Sequence, residues 1–192
     1  KARNIDPLSS FGDFLCVNTK IDRETAEYLK TQVSDGIIAS DYTEDALNIL
    51  TKKKNGKYII MKMDPEYYCN SIERKDLYGI SLYQKYNDFL INDSIDYNTD
   101  DTMYIENMKL AYQTLKYTVS NSVCISWKGQ VIGVSAGQQN RVDCIRAAGR
   151  KAQLYFMRKH PKVLHLLSCF KPNISEAEKN MAIHQYVTNT YY

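Results

Sequence analysis

Residues 117–152, YTVSNSVCISWKGQVIGVSAGQQNRVDCIRAAGRKA, constrain the fold of this chain more than any other stretch. Two short β-prone runs, 121–126 and 130–135, flank Lys128-Gly129, a spacing that predicts a hairpin with glycine in its turn. A polar turn at 136–139 then leads into an amphipathic helix. Asn140 is its expected N-cap, and Asp143, three residues on, the acidic partner of a capping-box-like start. Val142, Ile145, Gly149, Ala152 and Phe156 recur at helical spacing and predict the buried face, with Gly149 permitting close approach. Arg158, Lys159 and His160 suit the helix C-terminus, and Pro161 marks its stop.

Arg141 runs against the local preferences. It places a cation in the first helical turn, which the helix dipole disfavours by roughly 0.3–1 kcal/mol. A turn offering backbone N–H groups and a guanidinium would hold an anionic or carbonyl-bearing ligand. A solvated or carboxylate-paired arginine is the alternative.

The first third of the chain reads as strand, helix, strand, helix, strand, the rhythm of an α/β layer structure. A Gly-containing turn at 8–13 feeds a strand through Phe14, Leu15, Cys16 and Val17. Asp22 caps a helix with Ala26, Leu29 and Val33 on its face. Ser34-Asp35-Gly36 turns into a buried strand. Asp41 is expected to cap the next helix, with Glu44 at its third position and Ala46, Leu47 and Leu50 inward. Lys52-Lys53-Lys54 reads as a C-terminal cap ahead of Gly56, and 57–63 as a strand. Residues 64–97, with Pro65, Asn70 and the 92–94 cluster, read as a connector carrying one strand at 77–84. A helix from Asp100 carries Met108, Ala111, Tyr112 and Leu115 on one face. A final helix, capped by Ser175 and Glu178, places Ala177, Met181 and Tyr186 inward.

The 192 residues, 44% hydrophobic and 24% charged, are enough for a good core as one domain or two small halves. A net charge of only +3 and 16 scattered tyrosines argue against a nucleic-acid surface. Cys16, Cys69, Cys124, Cys144 and Cys169 form no CxxC pair, and an odd count with no secretory signal favours a reducing, cytoplasmic compartment. Cys16, Cys124 and Cys144 lie in apolar runs and read as buried thiols. No membrane span or targeting segment is visible. The chain opens at Lys1 and reads as a section of something longer. His160 reads as a dipole partner, and neither it nor His165 or His184 has the spacing of a metal site or of a Ser/His or Cys/His pair. A zinc-deaminase signature and the phosphate loops GxGxxG and GxxxxGK[ST] are absent. Asp35 is open to two readings: an Asx-turn satisfying its own backbone, or a carboxylate accepting a ligand amine or hydroxyl. Asn121, between two serines, is either part of a solvated turn or an amide orienting a ligand.

Taken together, SSFGDF (9–14), VSDGII (33–38), KKKNGKY (52–58), SNSVC (120–124), GQVIG (129–133), AGQQNR (136–141) and IHQYV (183–187) resemble one family in content and order. It is the formyltransferase part of the AICAR transformylase/IMP cyclohydrolase family of purine biosynthesis. The resemblance covers nearly the whole chain and is weakest over 64–97. It implies a cytidine-deaminase-like α/β fold of three-layer α/β/α units, parts of two in tandem: 1–66 the later part of the first, 67–98 a connector, 99–192 the earlier part of the second. It also implies phosphoribosylaminoimidazolecarboxamide formyltransferase activity, in which 10-formyltetrahydrofolate as co-substrate formylates AICAR to FAICAR in a homodimer, without zinc. By motif, Gly12, Asp35, Asn121 and Arg141 would contact AICAR and Val142 the folate. A potassium ion near the start of the strand would draw on Thr118, Ser120 and Ser122. Ser135 and Asn140 stand where the family usually has a glycine and a serine, both small or cap-competent. Met181 stands where an asparagine near the folate is expected. The family's catalytic Lys-His pair is expected upstream of SSFGDF, and the cyclohydrolase domain outside these residues, so this chain alone is expected to be inactive. The competing expectation is a non-catalytic nucleotide-binding or interaction module on the same scaffold.

Overall fold

Alternation of apolar and polar residues before a capped helix, repeated twice, builds the first structured region of the computed structural model. The structure describes residues 2, 7–8, 12–68, 71–89, 91 and 95–189; Cys69, Asn70, the 92–94 cluster and residues 9–11 of the SSFGDF motif lie outside them. The chain divides into two compact units, Ser10–Phe89 and Leu90–Tyr192 together with Lys1–Ser9.

In the unit Ser10–Phe89, strands β1 (Phe14–Ile21), β2 (Gly36–Tyr42) and β3 (Ile59–Lys62) form a parallel sheet in the order β1-β2-β3. Helices α1 (Arg23–Thr31) and α2 (Glu44–Leu50) make the crossovers and pack on each other. Ile37 and Ala39 of β2, Ala26 and Leu29 of α1, and Ala46 and Leu50 of α2 share one core, with Leu15 and Val17 of β1 against it. This is an α/β fold. The alternate residues of β1, Phe14 and Cys16, point away and are exposed, which corrects the expectation of a buried Cys16.

Asp22 caps α1 as expected, accepting from Thr25 N at 2.8 Å; the Thr25 side chain, and after it this backbone N–H, lower the carboxyl pKa. Val33 falls beyond the helix and is exposed. Helix α2 is capped by Thr43, not Asp41. Asp41 belongs to β2, where it pairs with Lys62 at 2.8 Å and Lys20 at 3.1 Å. Strand β2 runs on through Asp41 and Tyr42, so the cap moves two residues along. Leu47 is exposed rather than inward. The lysine triplet does cap a helix, but not its own. Lys53 Nζ donates to the carbonyls of Leu29 (2.9 Å) and Gln32 (2.5 Å) at the end of α1, and to Ser34 Oγ.

The described residues of 64–97 hold two strands instead of one. Strands β4 (Ile72–Leu77) and β5 (Ile80–Lys85) form an antiparallel hairpin about Tyr78-Gly79, both with positive φ. The single strand expected at 77–84 straddles that turn. Strand β4 carries Glu73, Arg74, Lys75 and Asp76 in a row, so it lacks the apolar alternation that marks a strand.

In the other unit, α3 (Thr102–Lys116) is capped by Asp101 and packs on the hairpin of β6 (Val123–Trp127) and β7 (Gln130–Ser135). The hairpin turns at Lys128 (φ 48°) and Gly129 (φ 68°), the paired positive φ of a type I′ turn. The pairing passes from Ile125↔Gly133 to Ser126↔Val131, so Ile132 is the extra residue of a bulge. That bulge lets Ile132 and Gly133 both be buried. Within α3 the buried residue is a polar one. Asn107 accepts from Gly129 N and donates to Met103 O, and its carbonyl accepts from Ser126 Oγ at 2.6 Å.

Helix α4 (Arg141–Met157) covers β7 and β6. Its buried residues are Cys144, Ala148, Ala152 and Tyr155, whereas Val142, Ile145 and Phe156 are about half exposed. The buried face is thus rotated from the one expected, with only Ala152 in common. Gly149 meets nothing that a Cβ would touch. The close approach is on the strand, where a Cβ on Gly133 would come 2.3 Å from Ala148 O. Pro161 stops α4 but also starts α5 (Pro161–Ser168), whose N-cap is His160, accepting from Lys162 N. Helix α6 (Glu176–Asn189) carries the expected Ser175–Glu178 capping box, with Ser175 N donating to Glu178 Oε2 at 2.9 Å. Its buried residues are Ile183 and Val187; Ala177, Met181 and Tyr186 are exposed.

Candidate functional site

The strands of the β6–β7 hairpin end together at the pair Val123↔Ser135, but their hydrogen bonding does not stop there. Beyond their last ladder pair, Gly137 N donates to Val119 O at 2.9 Å, and Asn121 and Gln138 exchange backbone hydrogen bonds of 3.3 Å. These bonds carry the ladder into the AGQQN turn and fix it against the segment before β6. Asn121 strengthens the link through its side chain. Its Nδ2 donates to Gln138 O at 3.0 Å and to Gln139 O at 3.2 Å, which leaves Oδ1 as the free end of the amide. Arg141 Nε donates to that oxygen at 3.4 Å. The Ser120-Asn121 peptide bond is cis.

Arg141 is the first residue of α4, and its exposed side chain stands beside the turn. Asn140 caps the helix, accepting from Asp143 N at 2.8 Å, while its Nδ2 reaches Asp143 Oδ2 at 2.6 Å. The cap therefore fixes the point from which the guanidinium leaves the backbone. Cys144 Sγ lies 3.3 Å from both Asn121 O and Ser135 O, tying the first turn of α4 to the end of β7 and to the segment before β6. Its apolar setting was legible in the sequence; this bracing role was not, because it depends on a contact 23 residues away. Val142 follows Arg141 and is 55% exposed. Arg141, Asn121 and Val142 thus surround one loop in this unit. Their chemistry suits a ligand with carbonyl or anionic groups on one side and a planar or apolar part on the other.

Thr118, Ser120 and Ser122 lie in the same short segment before β6. The Thr118 hydroxyl donates to Leu115 O at the end of α3, which leaves its oxygen lone pairs available. Neutral hydroxyl oxygens with no carboxylate among them suit a monovalent cation better than a divalent one. Among the described residues, no group of three or more His, Cys, Asp or Glu is arranged to hold a metal ion.

The other two expected ligand contacts belong to the unit Ser10–Phe89. Asp35 N donates to Asp13 O at 2.9 Å and Asp35 O accepts from Ile59 N at 3.2 Å, so its backbone is pinned between the turn before β1 and strand β3. Its carboxylate pairs with Lys54 through Oδ1. Gly12, at φ 72°, lies beside it: a Cβ there would be 3.8 Å from Asp35 Oδ2. The structure therefore brings Gly12 to Asp35 in one unit and Asn121 to Arg141 in the other. The lysine partner of Asp35 was missed at the sequence level; KKKNG was read only as a cap.

The family model of the AICARFT/IMPCHase bienzyme matches residues 1–151. The bifunctional purine biosynthesis protein PurH of Buchnera aphidicola subsp. Baizongia pistaciae is 34% identical over 158 residues, 79% of this chain and 30% of that protein. The PurH proteins of Agrobacterium fabrum and Parvibaculum lavamentivorans are 31% and 32% identical, each over 80% of this chain and 29% of their own length. The chain thus spans 29–30% of the length of these relatives.

Proposed function

The chain belongs to the AICARFT/IMPCHase bienzyme family, and from that premise we propose that it carries AICAR-holding residues of the formyltransferase. In that reaction the 5-amino nitrogen of AICAR attacks the formyl carbon of 10-formyltetrahydrofolate. A new C–N bond forms, the bond from the formyl carbon to N10 breaks, and the proton lost by the amine is returned to N10. The aromatic amine is a weak nucleophile, so alignment of the two reactants and proton removal carry most of the barrier. The residues assigned here do the first of these.

The observation that carries the reading is the Asn121–Arg141 contact at the head of α4. A guanidinium only donates, and held by an amide oxygen it presents its terminal N–H groups to a carboxamide oxygen or a similar acceptor. In the unit Ser10–Phe89, Asp35 would accept a hydroxyl or amine of AICAR, and Gly12 beside it leaves the approach without a side chain in the way. The exposed apolar Val142 offers contact to the folate. Thr118, Ser120 and Ser122 would hold a potassium ion, which would supply a fixed positive charge near the loop. A homodimer is part of the same proposal.

Calorimetric titration of the full chain with AICAR tests the reading. Wild type binds, and Arg141→Ala weakens binding by about tenfold or more, the scale of one hydrogen bond to a charged group. Equal affinity of the two proteins, or no binding by wild type, sinks it. Adding 10-formyltetrahydrofolate separates transfer from binding alone.

A further inference from the structure

Lys54 reaches Asp35 by a route that the stability of the fold does not require. Lys54 (φ 52°, ψ 36°) and Asn55 (φ 54°, ψ 41°) both lie in the left-handed region, followed by Gly56 at φ 83°. Two consecutive non-glycine residues there are disfavoured, and a conformation of this kind persists where the surroundings impose it. What the turn achieves is the placement of Lys54 Nζ on Asp35 Oδ1. The pair is 41% and 43% exposed on its two sides, and an ion pair so open to water adds little to folding. The neighbouring Lys53 already supplies the cap for α1.

The pair does determine how the Asp35 carboxyl group is oriented. The Asp35 backbone is held on both sides by sheet-like hydrogen bonds, and one of its two oxygens is taken by the ammonium. The other, Oδ2, faces Gly12, which has no side chain to cover it. Among the described residues Oδ2 has no hydrogen-bond donor. An anionic ribotide approaching a bare carboxylate would also be repelled, and the ammonium offsets that charge.

We propose that Lys54 is a positioning residue: it fixes the Asp35 carboxyl group so that Oδ2 accepts a hydroxyl or amine of AICAR lying over Gly12. This rests on the assignment of Asp35 and Gly12 to AICAR made above. Lys54 itself need not touch the ligand.

The test is calorimetric titration of the full chain with AICAR, comparing wild type, Lys54→Met, Lys54→Arg, Asp35→Asn and the Lys54→Met/Asp35→Asn double variant, with thermal unfolding of each. Lys54→Met weakens binding by about tenfold while its unfolding midpoint stays near that of wild type, and Lys54→Arg restores most of the affinity. The double variant binds no more weakly than Asp35→Asn alone, because Lys54 acts only through Asp35. Unchanged affinity in Lys54→Met, or losses that simply add in the double variant, overturns the proposal while leaving the functional reading intact. Loss of the folding transition in Lys54→Met overturns it too, since the pair would then be structural. No binding by wild type overturns the functional reading and this inference with it.

Discussion

At Gly133 there is no room for one added carbon. A Cβ there would stand 2.3 Å from Ala148 O, and because that oxygen belongs to a helix backbone it cannot swing aside. Gly133→Ala is expected to destabilise the chain by about 1–3 kcal/mol, the usual range for overpacking, as read by urea unfolding. The same change at Gly149, which lies mid-helix and meets nothing, should stabilise by about 0.5–1 kcal/mol. Asp41 makes a different prediction. Lys62, and after it Lys20, hold its carboxyl well below its ordinary value of 3.8. A depressed folded pKa contributes stability above the unfolded value, which is lost as pH falls below about 4. The unfolding midpoint of wild type should therefore drop more steeply than that of Asp41→Asn on acidification. Water and salt screen so exposed a group, and high salt should shrink the difference.

At the scale of elements, caps and turns were legible because they depend on residues three or four apart. Asn140 on α4, Asp22 on α1, the Ser175–Glu178 box on α6 and the Lys128-Gly129 turn all fall where local chemistry puts them. Faces were harder to read. Val142, Ile145 and Phe156 have the helical spacing of a buried stripe, yet α4 turns Cys144, Ala148 and Tyr155 to the hairpin instead. Small residues let the helix lie close on Gly133, and that gain in packing decides the rotation. Lys53 shows the same limit. Its sequence position suggests a cap for α2, but its ammonium reaches the end of α1, 21 and 24 residues away. Lys53→Met should cost about 1–3 kcal/mol by leaving carbonyls at the end of α1 without a charged donor. Denaturant unfolding gives the cost, and faster amide exchange confined to α1 gives its location.

For the molecule as a whole, alternating strands and helices announced an α/β fold, and the parallel β1-β2-β3 sheet has that form. Among the described residues no helix is long and apolar enough to cross a membrane. Family membership rests on ordered motifs spread over most of the chain, so it too was open to reading from sequence. The hairpin of β4 and β5 was not, because Glu73, Arg74, Lys75 and Asp76 stand in a row in β4 and leave it without apolar alternation. By itself, then, the sequence determined the α/β rhythm, the caps of α1, α4 and α6, which residue types line the loops and which family they belong to, since each follows from short-range chemistry or from motif order. Only tertiary structure decided that Lys54 meets Asp35, that Asn121 braces the loop beside Arg141, and which side of α4 is buried. Those outcomes depend on packing between residues far apart in the chain, and no local preference encodes them.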